Sequence, residues 1–385
     1  MTFLHIACNA STRPSRILKE SGSALRAGLT GNVVILARAA EGHAMEEHPA
    51  EGVRIERVSL RTGWLPRRGP MQIVKLLDWQ ARVFRRAVGL RPRLVHAHSL
   101  CTLAVSLRIG REVGCPVVYD AHELETDQGQ PRWRRPIDRL EEARLIRKPA
   151  AMLCVSESIA DWYANRYEIS RPVVVRNVPD VRIQRLGADR EILRQRFSIP
   201  DASVVFIYQG VLSPGRRVEQ LLRVFGRVGD ARHIVFMGYG PLEGMVREAA
   251  SVRANVHFLP AVPPNEVLRY SAGADVGICG VENTCLSYFY SLPNKLFEYL
   301  LAGVPALVPR WPELLRVVEQ NGFGWAVGDS DEAWISAVTE TNRAAADALR
   351  PRVLAGASEY SWEREEGRLL TVYRTVLDQG VAFEA

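Results

Sequence analysis

No apolar run in the 385-residue chain approaches the ~20 residues that a membrane-spanning helix requires. The opening Met1-Thr2-Phe3-Leu4-His5-Ile6 lacks the basic start of a signal peptide, so the cytoplasm, including the inner face of the plasma membrane, is the expected compartment. Cysteine is scarce and scattered. Cys8, Cys101, Cys115, Cys154, Cys279 and Cys285 form no C-x-x-C pair and mostly sit in apolar runs, where thiols behave as small hydrophobes. Neither a disulfide nor a zinc site is expected from them. No internal repeat or low-complexity tract is visible, which argues against solenoids and disordered tails. Acidic residues are nearly missing from 61–93, where nine Lys/Arg face Asp78 alone.

That local deficit shapes the charge of the whole chain. The net charge is +7, but residues 1–180 carry 28 basic against 19 acidic residues, whereas the remainder carries 22 against 24. Within 61–93 the basic residues interleave with Trp64, Leu65, Met71, Ile73, Val74, Leu76, Leu77, Trp79, Val83 and Phe84, a pattern suited to an anionic membrane surface. A second basic cluster surrounds Trp133 in Pro131-Arg132-Trp133-Arg134-Arg135. No recognition motif for nucleic acid accompanies either cluster, so none is expected as a partner. The plainer reading is a set of solvated helix faces.

Short β-branched runs alternate with helical segments, which predicts an α/β fold of parallel sheets wrapped by helices. One series of strands is expected at 4–8, 33–37, 53–59, 94–97, 117–120, 152–155 and 173–176. Another is expected at 204–209, 233–237, 256–259, 276–279, 306–308 and 324–327. Between them, Asn177-Val178-Pro179-Asp180 is turn-rich and marks the hinge. The expectation is two Rossmann-like domains, 1–180 and 181–360, facing across a cleft, with ligands at the carboxyl ends of the strands. A final helix over 362–377 follows the second series.

The chemistry concentrates in strand-end loops. In Leu292-Pro293-Asn294-Lys295-Leu296-Phe297-Glu298, proline presets the first helical dihedral, and Asn294 and Lys295 lie in the first turn, where backbone N–H groups can seat a diphosphate. Glu298 lies one turn deeper among apolar residues and needs a partner, which ribose hydroxyls could supply. The plain alternative is an amphipathic helix with Glu298 on its wet edge. Gly238-Tyr239-Gly240-Pro241-Leu242 follows an apolar strand and opens a helix, allowing close backbone approach to a ligand. Gly210 to Arg217 ends in Arg216 and Arg217, natural partners of phosphate oxygens. His122 and Glu123 stand just past the buried strand 117–120, and alternation puts His96 and His98 on one sheet face, where they also serve packing. Asp329-Ser330-Asp331 is formally a D-x-D string, but it reads as the cap of the following helix, and no metal is expected.

In order and spacing, several segments together resemble the retaining, nucleotide-sugar-dependent GT-B glycosyltransferases of family 4. They are the Gly210–Arg217 loop, Met237-Gly238-Tyr239-Gly240-Pro241-Leu242, Asn255-Val256-His257-Phe258-Leu259, Ala274-Asp275-Val276-Gly277-Ile278, the segment ending in Gly303-Val304-Pro305, and Tyr360-Ser361-Trp362-Glu363. Arg16-Ile17-Leu18-Lys19-Glu20, Val95-His96-Ala97-His98 and Tyr119-Asp120-Ala121-His122-Glu123 do the same in the first half. The resemblance implies an acceptor-binding domain over 1–180, a nucleotide-sugar domain over 181–360, and a terminal helix, 361–385, that crosses back to the first. It implies that Arg216 contacts the donor diphosphate, Glu298 the ribose and His122 the donor sugar, with Lys295 beside them. Gly210, Arg217, Gly238, Tyr239, Gly240, Pro241, Leu242, Tyr290, Leu292 and Asn294 complete the expected nucleotide-sugar site. Arg13, Arg16, His98 and Glu123 stand on the acceptor side. Two departures stand out: Tyr290 replaces the first glutamate of the family's E-x7-E motif, and Val211 replaces an arginine that pairs with the diphosphate cation. The implied reaction is hexosyl transfer, without cofactor, from a nucleotide diphosphate sugar to an acceptor hydroxyl, lipid-linked or small, in surface polysaccharide or glycolipid assembly. The alternatives are an inactive sugar-nucleotide-binding protein, an epimerase, or an enzyme acting on a soluble natural product.

Overall fold

The computed structural model describes residues 1–11, 15–66, 69–128, 133–180 and 189–379. They form two compact units: Met1–Arg176 with Glu365–Ala385, and Asn177–Arg364. Among the described residues the first unit carries an eight-stranded sheet, made of β1 (Thr2–Ala7), β2 (Asn32–Arg38), β3 (Glu46–Ala50), β4 (Val53–Val58), β5 (Leu94–His98), β6 (Val117–Ala121), β7 (Ala151–Cys154) and β8 (Val173–Val174). Their order is β3-β4-β2-β1-β5-β6-β7-β8. All pairs are parallel except β3 with β4. Strand β3, the one element the apolar pattern misses, is Glu46-Glu47-His48-Pro49-Ala50 at the sheet edge. It is mostly exposed and holds on by an irregular antiparallel ladder, so no apolar alternation marks it.

The second unit holds β9 (Val204–Val211), β10 (Arg232–Tyr239), β11 (Val256–Pro260), β12 (Val276–Ile278), β13 (Ala306–Pro309) and β14 (Gly324–Val327). They form a parallel sheet in the order β11-β10-β9-β12-β13-β14. Helices cover both faces, so strand residues are buried whichever way they point. Phe206 and Tyr208 enter a core with Phe225, Phe236 and Trp334, while Val205 and Ile207 enter another with Met237 and Tyr299. In each unit the chain order reverses beside one strand, β1 between β2 and β5, and β9 between β10 and β12. Doubly wound sheets bind ligands at the carboxyl ends of such strands.

The C-terminal helix, Trp362–Asp378, packs on the first sheet. Tyr373 lies edge-on to Phe3 at 5.5 Å and its hydroxyl is 2.8 Å from His96 Nδ1. The buried Glu365 carboxylate accepts from the Arg176 backbone N–H (2.9 Å) and guanidinium (3.0 Å). The helix Met71–Leu90, read from sequence as a membrane-facing stretch, turns Lys75, Trp79, Val83 and Ala87 inward at four-residue spacing. Its exposed apolar set is therefore smaller: Ile73, Val74 and Leu77, with Trp64 before the helix. Arg86 is bound to Glu56, and Arg67, Arg68 and Arg132 lie outside the described residues. No helix among the described residues is long and apolar enough to cross a membrane.

Candidate active site

In the second unit the site begins where β9 and β10 end side by side. Gly210 (φ +116°) pairs with Gly238, and a Cβ at 238 would stand 1.8 Å from the Gly210 carbonyl oxygen. Gly240 (φ +148°) repeats the constraint against the Leu212 carbonyl at 2.4 Å. Leu212 N–H donates to Tyr239 O and Leu242 N–H to Leu212 O, which laces the two strand-end loops together. Tyr239 and Pro241 remain exposed on this rim; Leu242 instead packs on the core at the head of the helix Glu243–Val252.

The helix Asn294–Leu301 enters beside them. Pro293 is its N-cap, with ψ 139°, rather than its first helical residue, so Asn294 opens the helix and no side chain caps it. Lys295 lays its partly exposed stem across Gly210 and buries its ammonium 3.6 Å from the Tyr208 ring centroid, where it has no hydrogen-bond partner. Burial pushes this amine down to about 7; Arg216 acts in the same direction, and Cys279 and Glu298 oppose it. Arg216 stacks 4.8 Å over the Tyr288 ring, and its guanidinium makes no ion pair among the described residues. Glu298 accepts a hydrogen bond from the Gln209 side chain, whose own oxygen accepts from Ser271 Oγ. Tyr299 fixes the helix against β9 by accepting the Gln209 backbone N–H at 3.1 Å, and its ring covers Gly277. Two basic side chains without an ion pair among the described residues and an oriented carboxylate thus stand at the switch point of this sheet.

Of the residues expected at the nucleotide-sugar site, Arg217 is placed otherwise. Arg217 is buried in a left-handed turn (φ +60°), where it donates to Val281 O at 2.7 Å, to Gln220 and to Asp329, and lies between Trp311 and Trp334. Leu292 is buried, and Tyr290 ends the short helix Leu286–Phe289, packed on Phe289. Asn294 is exposed. Asp329 holds Arg217, Ser330 caps the helix Asp331–Glu340, and Asp331 binds Arg223, so the D-x-D string is structural. Arg217→Met should cost about 2 kcal/mol of stability, read as a lower urea midpoint, because it removes the buried hydrogen bonds to Val281 O and Gln220. Arg216→Met should stay within about 0.5 kcal/mol.

In the first unit, β6 delivers Asp120 and His122. Arg16 grips Asp120 with Nε (2.7 Å) and Nη2 (2.9 Å) and donates Nη1 to Val175 O. Burial works against the Asp120 charge, yet Arg16 and His122 hold its carboxyl well below the usual range. His122 Nε2 lies 3.0 Å from Asp120 Oδ2 and 3.1 Å from His98 Nδ1, with its ring about one-third exposed. Arg16 and His98 are buried; Arg16 positions Asp120, and His98 also lines the cavity beside His122. Glu123 is partly buried, and Arg13 lies outside the described residues. At the β1/β5 switch point a cavity of about 500 Å³ opens over His98 and His122, with Arg38, Lys75 and Arg134 in its wall and no acidic residue among the described ones. Sequence alone carried no sign of Gln209, Ser271, Tyr208 or Tyr288, whose roles rest on contacts across the sheet.

Comparison with known proteins places this geometry. Residues 18–180 match the model of a family described as "Glycosyl transferase 4-like domain", and residues 203–342 match that of "Glycosyl transferases group 1". The chain belongs to glycosyltransferase family 4. This glycosyltransferase, of the retaining type and GT-B fold, is 24% identical over 363 residues to the D-inositol 3-phosphate glycosyltransferase of Segniliparus rotundus, covering 88% of this chain and 76% of the relative. Among solved structures, sucrose-phosphate synthase from Thermosynechococcus elongatus superimposes with a TM-score of 0.80 at 15% identity, over 99% of this chain and 100% of that one. Anabaena Alr3699/HepE, solved in complex with UDP and glucose, gives 0.71 at 14% identity, over 98% and 99%. At these identities the structural likenesses establish the glycosyltransferase fold.

Proposed function

We propose that the protein transfers a hexosyl group from a UDP-sugar to a hydroxyl of a phosphate-bearing acceptor, with retention of configuration. The observation that carries the donor half is the pair Lys295 and Arg216, two cations without carboxylate partners beside Glu298. A diphosphate supplies the missing charge, and the Glu298 carboxylate, oriented by Gln209, suits ribose hydroxyls. The uridine base is supported by the UDP in the HepE structure. The acceptor half rests on the cavity walled by Arg38, Lys75 and Arg134. A phosphorylated acceptor also appears in the name of the D-inositol 3-phosphate glycosyltransferase.

In the reaction the sugar C1–O bond to the β-phosphate breaks as the bond from C1 to the acceptor oxygen forms on the same face. The acceptor proton passes to the departing phosphate oxygen. Negative charge grows on that phosphate, where Lys295 and Arg216 act by preorganised attraction. His122, backed by Asp120, is the residue that the family resemblance assigns to the donor sugar. Arg216→Ala and Glu298→Ala should each abolish measurable donor binding while leaving the fold intact. Near-normal release of nucleoside diphosphate by both variants would refute the assignment. If wild-type protein binds UDP-sugars but releases no diphosphate with any phosphorylated acceptor, the inactive-binder reading, motivated by Tyr290 and Val211, takes its place.

Ile73, Val74 and Leu77 on the helix bordering this cavity support an acceptor presented at a membrane, as in glycolipid or surface-polysaccharide assembly. The protein should float with vesicles containing anionic lipid, and Leu77→Asp should weaken this. Lipid-independent turnover would favour a soluble phosphorylated acceptor.

A further inference from the structure

Below the His122 rim, inside the first unit, lies a cluster of which only His98 reaches the acceptor cavity. His5 on β1 and His96 on β5 are register partners, so they point to the same sheet face, and His98, two residues on, joins them. The helix Ser15–Arg26 lowers Glu20 onto this face. All four side chains are buried, and each offers one ring nitrogen or carboxylate oxygen within 4.8 Å of the other three. His5 Nδ1 stands 2.9 Å from His98 Nε2; Glu20 Oε2 stands 3.8 Å from His98 Nε2 and 3.8 Å from His96 Nδ1. Ligand atoms around a tetrahedral ion with bonds of about 2.0–2.1 Å are roughly 3.3 Å apart, within this range. The His98 ring stacks on both His5 (5.1 Å between centroids) and His96 (4.4 Å), so the rings must turn for their nitrogens to converge on one ion.

Neither Glu20 oxygen receives a hydrogen bond. Arg16 Nε is 3.0 Å from Glu20 Oε1, but its hydrogen is committed to Asp120. With neither oxygen hydrogen-bonded, the buried carboxylate has only the Arg16 guanidinium to offset its charge, and a coordinated ion would satisfy it further. A second shell is also present. His98 turns its other nitrogen to Asp120 Oδ2 at 3.5 Å and His122 at 3.1 Å, the kind of carboxylate backing that orients a metal-bound imidazole. The Tyr373 hydroxyl lies 2.8 Å from His96 Nδ1, the nitrogen that also faces Glu20, so it must give way when His96 binds an ion through that atom.

We infer that His5, Glu20, His96 and His98 form a buried three-histidine, one-carboxylate site for a zinc-type divalent ion, which staples β1, the first helix and β5 beneath His122. Three imidazoles with one carboxylate favour zinc over magnesium or calcium, which prefer oxygen. Because the site is enclosed, the ion enters during folding. The test is elemental analysis of the full chain produced with added zinc and dialysed against a weak chelator. About one zinc per chain is expected, falling at least tenfold in Glu20→Gln and in His5→Gln and unchanged in His43→Gln. Cobalt supplied during folding should give the strong visible absorption of four-coordinate cobalt. Circular dichroism of Glu20→Gln separates metal loss from unfolding. A folded wild-type chain free of metal after production with zinc or cobalt overturns the site, as does full zinc retention in both Glu20→Gln and His5→Gln.

Discussion

Replacing Lys295 by methionine is expected to lower turnover on the order of 10²–10³-fold while leaving the fold in place. The ammonium is buried against Tyr208 with no hydrogen-bond partner, so removing its charge leaves no internal ion pair broken. The loss falls on the diphosphate, whose charge grows as the sugar departs. Proton linkage adds a signature that no structural role would produce. Burial holds the free amine at about 7, and a bound dianion stabilises its protonated form. Above pH 7 the free protein must therefore take up a proton as it binds UDP, and below it need not. Affinity should fall up to about tenfold per pH unit above 7, until the amine in the complex also loses its proton. Calorimetry of UDP binding at pH 8, in buffers of different ionisation enthalpy, should show an uptake approaching one proton, vanishing in Lys295→Met. Lys295→Arg should bind without uptake and with a flat pH profile. An uptake that survives in Lys295→Met would assign the linkage elsewhere.

The largest loss of stability from a single methyl group is expected at Gly238. Alanine there would drive its Cβ to 1.8 Å from the Gly210 carbonyl oxygen, a backbone atom that cannot swing aside. The strand ends must part, breaking the register that sets Gly210 beneath Lys295. A cost of roughly 3 kcal/mol or more follows. That corresponds to a melting temperature lower by about 6–12 °C for a unit of this size, with donor binding lost at the same time. At Gly244, in the helix that follows, an added methyl would meet nothing within 4 Å. Gly244→Ala should therefore stabilise by about 0.5–1 kcal/mol, through helix propensity and a less flexible unfolded chain. Equal melting temperatures for the two variants would show that the strand-end loops tolerate separation.

Much of this was legible in the order of residues. Helix-covered parallel strands are buried on both faces, so their β-branched runs stand out, and every described strand but β3 was anticipated within a few residues. The recurrence of Gly210, Gly238, Lys295 and Glu298 at strand and helix ends identified the family and its donor chemistry, because close approach and charge need those residue types locally. Tertiary structure alone decided how neighbours in sequence divide their work. Arg216 and Arg217 are indistinguishable as a pair, yet a left-handed backbone at 217 turns one guanidinium into the core and leaves the other on the Tyr288 ring. Glu298 has its carboxylate set by Gln209, 89 positions away. His5, Glu20 and the β5 histidines meet only because β1 pairs with β5, and cysteine spacing, the usual sign of zinc, is silent about them. Local pattern fixes which residues become strands and which faces are apolar; the partner a buried charge finds depends on strands brought together from distant parts of the chain.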